Sequence, residues 1–175
     1  MKTAYEILER LMANKQSVLE AWKDKPFEKM KLIFMTEKGD IAEDFLAELL
    51  TTHDYDEVKV EKERRGDYDV SLGDSVFFEV KAATQDTNGN FQFNDIRYDT
   101  KSTHLFCLGI TPDNLYYLLI NKTELHSDKY NMVSMSRGSN SSFKLLRRIA
   151  QMNEFENFKG DVEKAIKETS SKGAK

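Results

Sequence analysis

The stretch Gly66–Thr84 reads GDYDVSLGDSVFFEVKAAT and carries the clearest structural signal in the chain. Two runs rich in β-branched and aromatic residues flank a turn signal at Gly73 and Asp74, a pattern typical of a β-hairpin. Side chains alternate between the two faces of a strand, so Glu79 and Lys81 are expected to share one face. The second strand therefore places a carboxylate and an ammonium side by side among apolar residues.

Asp69 lies on the first strand of this hairpin. If the turn is the three residues 73–75, Leu72 pairs with Val76 and Asp69 lies opposite Glu79, whereas a two-residue turn shifts the register by one. Two carboxylates so close repel each other unless a cation lies between them. Mg²⁺ suits such a place, because it is held by carboxylates, waters and phosphate oxygens. A neighbouring lysine would orient or help deprotonate an attacking water, or stabilise the charge that develops on phosphorus.

Composition and charge limit the class of protein. The chain has 175 residues, 39% of them hydrophobic and 32% charged, which predicts one soluble domain spanning residues 1–175. No apolar run approaches the roughly 20 residues that a membrane span needs, so no membrane partner is expected. The net charge of −4 argues against nucleic-acid binding by bulk charge, but not against binding in a local cleft. The single cysteine, Cys107, is expected to be a buried apolar residue in a cytoplasmic protein.

The remaining patterns predict an α/β fold with a central mixed sheet flanked by helices on both sides. Five strand-like runs fall within residues 57–120: VKV, YDVSL, SVFFEVKA, LFCLGI and LYYLLI. Stretch 85–103 separates the third and fourth runs and holds a polar loop, Asp86 to Asn90. Helices are expected in residues 1–50 and again at 143–152 and 155–166. In 39–50, the residues expected to share one apolar face are Ile41, Phe45, Leu46, Leu49 and Leu50.

Asp69 followed by Glu79-Val80-Lys81, with nine residues between the two acids, resembles the motif of the PD-(D/E)XK nucleases. That superfamily includes many type II restriction endonucleases, and the resemblance covers roughly residues 36–125. It implies a restriction-endonuclease-like core in which Asp69, Glu79 and the Val80 carbonyl bind Mg²⁺, with Mn²⁺ as an expected substitute. It also implies that Lys81 assists the water, that Glu43 is an accessory acid from the preceding helix, and that hydrolysis leaves a 3′-hydroxyl.

Some features depart from the family pattern. Tyr68 stands where the family has proline, and Asp67 is a second acid that remains an alternative to Asp69 as the metal ligand. A competing match at residues 57–59 is poorer, because its suitably spaced upstream acid, Asp44, lies inside a predicted helix.

Each acid also has a purely structural interpretation. Glu79 and Lys81 could pair across an exposed sheet face, where such pairs add little stability. Asp40 and Glu43 have the spacing of a capping box, with Asp40 as the N-cap of a helix.

DNA binding requires positive side chains for phosphates and hydrogen-bonding groups for base edges. Three segments offer them: one just before the hairpin, one between the third and fourth strands, and one Gly/Ser-rich loop. The candidates are Arg64, Arg65, Gln92, Asn94, Arg97, Lys101, Arg137, Ser139, Asn140 and Lys144. By contrast, Arg147 and Arg148 are expected on the solvent face of a helix.

The function expected from these patterns is a Mg²⁺-dependent type II restriction endonuclease that hydrolyses double-stranded DNA at a short specific sequence. A two-fold DNA site favours a homodimer, and a companion methyltransferase encoded nearby would fit this interpretation. The alternatives are a structure-selective repair or junction nuclease and a non-catalytic DNA-binding module of the same fold. The absence of a Gly-rich phosphate loop argues against an NTPase or a dehydrogenase.

Overall fold

The computed structural model describes residues 19–61, 67–135 and 142–171. The helices are α1 (Glu28–Leu32), α2 (Met35–Thr52) and α3 (Phe158–Ser170). Short 3₁₀ turns lie at Lys122–Glu124, Ile149–Gln151 and Phe155–Asn157. The strands are β1 (Val58–Val60), β2 (Val70–Leu72), β3 (Val76–Thr84), β4 (Asn90–Ile96), β5 (His104–Ile110), β6 (Leu115–Asn121), β7 (Val133–Ser134) and β8 (Phe143–Arg148).

A central sheet of five strands has the order β1-β2-β3-β5-β6. Only the β3–β5 pair is parallel, so the sheet is mixed, as predicted. All five strand-like runs of the sequence are strands of this sheet. In the β2–β3 hairpin, Leu72 pairs with Val76, which leaves the three-residue turn 73–75. Gly73 has φ of +57°, a left-handed conformation that glycine adopts without a steric penalty.

A second sheet, of order β4-β8-β7, was not predicted. Strand β4 lies within stretch 85–103, and β8 occupies the region where a helix was expected from 143 to 152, so the helix prediction is wrong there. In β8, Leu145 and Arg147 are buried while Leu146 and Arg148 are exposed, which is the two-residue period of a strand. The Arg147 guanidinium packs over the Tyr130 ring and donates to the Leu146 carbonyl at 2.8 Å, so its expected place on a wet helix face is also wrong.

The two faces of the central sheet are covered differently. On one face, helices α2 and α3 pack through Leu46, Leu50, Phe158 and Val162 onto even-numbered residues of β3 and β5 such as Phe78. On the other face, Phe91, Phe93 and Leu145 of the second sheet pack on odd-numbered residues of the same strands, including Cys107. Within the described residues, therefore, both longer helices lie on one side, and a small sheet takes the place of the expected helices on the other.

Helix α2 begins earlier than the sequence suggested. Glu37 accepts the backbone N–H of Phe34 at 3.2 Å, and the helix starts at Met35. Asp40 is therefore inside the helix, and the capping box proposed for Asp40 and Glu43 is wrong. The core-facing side carries Ala42, Leu46 and Leu50, whereas Ile41 is 44% exposed.

The single cysteine, Cys107, is buried in β5, as expected, and this burial raises the pKa of its thiol. None of the helices in the described ranges has the length and apolar character that crossing a membrane would require.

Candidate active site

The candidate site lies where the edge of β3 becomes open. Strand β2 pairs with β3 only as far as Val70 and Phe78, and β5 lines the other side of β3 from Phe78 to Thr84. Among the described residues, no strand pairs with Glu79–Thr84 on the β2 side. The hairpin therefore ends at the point where the motif residues begin.

Asp69 closes the end of the hairpin. Its N–H donates to the Phe78 carbonyl at 2.8 Å, and its Oδ2 accepts the Val80 N–H at 2.7 Å. The N–H and C=O of one strand residue point to the same side, so the Val80 carbonyl also faces the open edge. Burial raises the pKa of the Asp69 carboxyl, against the opposing effects of the Val80 N–H and the Lys81 charge.

Glu79 is buried and bonded through both of its carboxylate oxygens. Lys81 Nζ lies 3.3 Å from Oε1, and the backbone N–H of Arg97 donates to the same oxygen at 3.4 Å. Lys122 Nζ lies 2.7 Å from Oε2. The pair does not form on an exposed sheet face, because Glu79 is only 6% exposed. The purely structural interpretation, in which Glu79 and Lys81 pair on an exposed sheet face, is therefore wrong.

Lys122 was not predicted from the sequence as a residue of the site. It follows β6 and is 8% exposed, and its ammonium also donates to Ser102 Oγ at 2.9 Å and to the Thr100 hydroxyl. A lysine just after an apolar run looks like an ordinary solvated residue, and its partner Glu79 is 43 residues away in the chain. No local pattern could have identified it.

Glu43 approaches this cluster from α2. It is half-buried, and its pKa is raised to about 7, chiefly by burial and then by the charges of Asp69, Asp40 and Asp44. The Lys81 charge acts in the opposite direction on Glu43, as it does on Asp69. The Lys81 charge therefore acts on three acids: it contacts Glu79 and lowers the pKa of Glu43 and of Asp69.

The carboxylate and carbonyl oxygens of the cluster are of the type that bind Mg²⁺ together with water molecules. No group of three or more His, Cys, Asp or Glu side chains among the described residues is arranged to enclose a metal ion. Mg²⁺ does not need such a cage, because it commonly uses one or two carboxylates together with waters and phosphate oxygens. Burial and the charge of Asp69 raise the pKa of Glu43, and burial and the charge of Glu79 raise the pKa of Asp69. A nearby cation would offset both effects. One or two of the carboxylates of Asp69, Glu43 and Glu79, together with the Val80 carbonyl, would supply its protein ligands.

The rival acids lie elsewhere. Asp67 is bound to Lys101 at 2.8 Å, and both side chains are exposed, so Asp67 is engaged outside the cluster. Glu57 accepts the Gly73 N–H through its carbonyl at 3.1 Å, which places the competing match at the turn end of the hairpin, away from Asp69.

The DNA-binding candidates are only partly brought together. Gln92 is exposed on β4 and donates to Asn94 Oδ1 at 3.0 Å. Arg97 is exposed next to the cluster, and its charge lowers the pKa of Asp69. Lys144 pairs with Val133 in the second sheet, and Lys101 is engaged with Asp67. Five candidates lie outside the described residues: Arg64, Arg65, Arg137, Ser139 and Asn140.

Comparison with known proteins gives no relative that would name this site. No model of a known protein family matches the chain, and no curated protein is similar to it in sequence.

Proposed function

We propose that this protein is a Mg²⁺-dependent endodeoxyribonuclease of the type II restriction class, with a restriction-endonuclease-like core. The observation that supports this most is the gathering of Asp69, Glu79 and Lys81, with Glu43, at the open edge of β3. Such an edge leaves room for an extended phosphodiester, since no described strand covers the motif residues on that side.

Each residue has a distinct part in the proposed reaction. Asp69 and Glu79 Oε1 would hold Mg²⁺ with the Val80 carbonyl, and Glu43 would complete the acid set from α2. When bound, the ion polarises the scissile phosphate and lowers the pKa of a coordinated water. Lys81, a quarter exposed, orients the attacking water and stabilises the charge that develops on the phosphoryl oxygens.

The proposed substrate is double-stranded DNA, and the proposed assembly is a homodimer with one active site per strand. Gln92 and Asn94 lie on β4, the strand that follows the motif strand in the chain, and Arg97 comes just after it. All three are proposed to contact the duplex. The net charge of −4 favours a protein that reads a short sequence in a local cleft over one that binds branched DNA by bulk charge.

One observation favours a second candidate, a non-catalytic DNA-binding module. Both oxygens of Glu79 are bonded to lysines, so this carboxylate has two counter-ions without a metal ion. This candidate would bind DNA in the presence of EDTA and would not hydrolyse it.

The deciding experiment is incubation of phage and plasmid DNA with the protein in Mg²⁺ and in EDTA, beside Glu79→Gln and the exposed-lysine control Lys164→Met. We expect discrete Mg²⁺-dependent bands from the wild type and from the control, and none from Glu79→Gln. Cleavage confined to branched DNA would instead identify a structure-selective nuclease. DNA binding without cleavage of either substrate would refute the nuclease proposal in favour of the non-catalytic module.

A further inference from the structure

Lys122 is held in a fully bonded, buried position. Its ammonium contacts Glu79 Oε2 at 2.7 Å, Ser102 Oγ at 2.9 Å and the Thr100 hydroxyl, and those two hydroxyls lie 2.7 Å apart. Its backbone N–H donates to the Thr103 carbonyl at 2.9 Å, which fixes where the side chain starts. An ammonium has three donors, and three partners use all of them. Lys122 therefore has no donor left for a substrate phosphate.

The two oxygens of Glu79 consequently differ. Oε2 is directed to the buried Lys122, whereas Oε1 contacts Lys81, whose side chain is 24% exposed, and the Arg97 N–H. Only Oε1 lies among groups that reach solvent at the open edge of β3.

We propose that Lys122 is a positioning residue that binds Glu79 Oε2 and leaves Oε1 as the single oxygen that Glu79 offers to Mg²⁺. This inference rests on the proposed nuclease function and assigns a role that the motif does not contain. A positive charge on the same carboxylate weakens its attraction for a divalent cation. The same contact fixes the direction of Oε1, so Lys122 lowers metal affinity while it raises turnover.

The test compares Lys122→Met with the wild type in two separate measurements. Calorimetric titration with Mg²⁺ alone, without DNA, should show binding about fivefold tighter in the variant, because a nearby like charge has been removed. Single-turnover cleavage at saturating Mg²⁺ should fall by about tenfold or more, because Oε1 is no longer fixed in direction. Lys164→Met removes a lysine that is 70% exposed and should change neither quantity.

Thr100→Val is a milder second variant, which keeps the Lys122 charge and removes one hydroxyl that receives its hydrogen bond. It should cleave more slowly, with wild-type affinity for Mg²⁺. Wild-type or weaker Mg²⁺ affinity in Lys122→Met would overturn the proposal, and so would wild-type turnover in Thr100→Val.

The two proposals fail in different ways. A wild-type protein that binds Mg²⁺ but cuts no DNA refutes the nuclease function, and the affinity comparison still decides whether Lys122 weakens Mg²⁺ binding. An active nuclease whose Lys122→Met variant binds Mg²⁺ no more tightly refutes the role of Lys122 alone. A wild-type protein that binds no Mg²⁺ overturns both.

Discussion

The carboxylate of Asp69 takes the place of a strand carbonyl beside Val80, accepting its N–H at 2.7 Å. One side chain thereby ends the hairpin and carries a negative charge to the open edge of β3. Asp69→Asn separates these roles, because the amide oxygen still accepts the Val80 N–H while the charge is lost. We expect a native fold by circular dichroism and a loss of Mg²⁺-dependent cleavage of about 100-fold or more.

Asp67→Asn is the matched control, since Asp67 lies two residues from Asp69 in the chain and is bound to the exposed Lys101. Its cleavage rate should stay within about twofold of the wild type, as expected for an exposed ion pair. A larger loss in Asp67→Asn than in Asp69→Asn would exchange the roles of the two acids.

Lys81→Ala should abolish cleavage while leaving the fold intact. The fold survives because buried Glu79 keeps its second counter-ion, Lys122, at 2.7 Å. The rate loss should be about 100-fold or more, as for removal of a group that stabilises transition-state charge. Thermal unfolding checks that the fold is intact, and a plasmid cleavage assay on the same sample checks the loss of activity. Full activity would refute the catalytic role of Lys81.

The raised pKa of Glu43, about 7, predicts how stability depends on pH. Between the ordinary glutamate value and about 7, the folded protein retains a proton at Glu43 that the unfolded chain releases. Stability therefore falls as pH rises through this window, and Glu43→Gln removes that slope. Without metal, the melting temperature of the variant should exceed that of the wild type at pH 8 and approach it at pH 4.

Glu48→Gln, on the exposed face of the same helix, is the control for the charge change. It should melt in parallel with the wild type at both pH values. An equal effect in the two variants would mean that total charge, rather than the burial of Glu43, sets the dependence on pH.

Substitutions of the two neighbouring arginines of β8 test whether this segment is a strand rather than the expected helix. Arg147 is buried against Tyr130 and bonded to two carbonyls, whereas Arg148 is exposed. Arg147→Ala should lower the free energy of unfolding by about 2 kcal/mol, through lost packing and unpaired carbonyls. Arg148→Ala should stay within about 0.5 kcal/mol of the wild type. Urea unfolding of both variants measures the difference, and equal losses would contradict the strand.

The sequence predicted those parts of the fold whose signals are local. The five runs of the central sheet are short and rich in apolar, β-branched or aromatic residues, so their strand character follows from neighbouring residues alone. The β8 segment was misread because the doublets Leu145-Leu146 and Arg147-Arg148 match a helical period as well as an alternating one. Its packing against β4 decides between them, and that contact is not local.

The candidate site divides in the same way. Asp69, Glu79 and Lys81 lie on one hairpin, so their proximity followed from the turn length and the alternation of side chains. Lys122, Thr100 and Ser102 are joined only through tertiary structure and had no signal. The start of α2 was misplaced because Gly39 and Asp40 resemble a helix boundary, although the chain bonds its first turn through Glu37.

The open edge of β3 also bears on association between copies of the chain. Unpaired strand edges are templates for pairing with another chain, and proteins protect them with charges directed across the edge. Here the proposed catalytic residues give that protection. Asp69 accepts the hydrogen bond of the Val80 N–H, and Glu79 and Lys81 place charges beside it. A variant neutralised at all three positions would present an uncharged open edge, and its tendency to aggregate would change together with its catalysis.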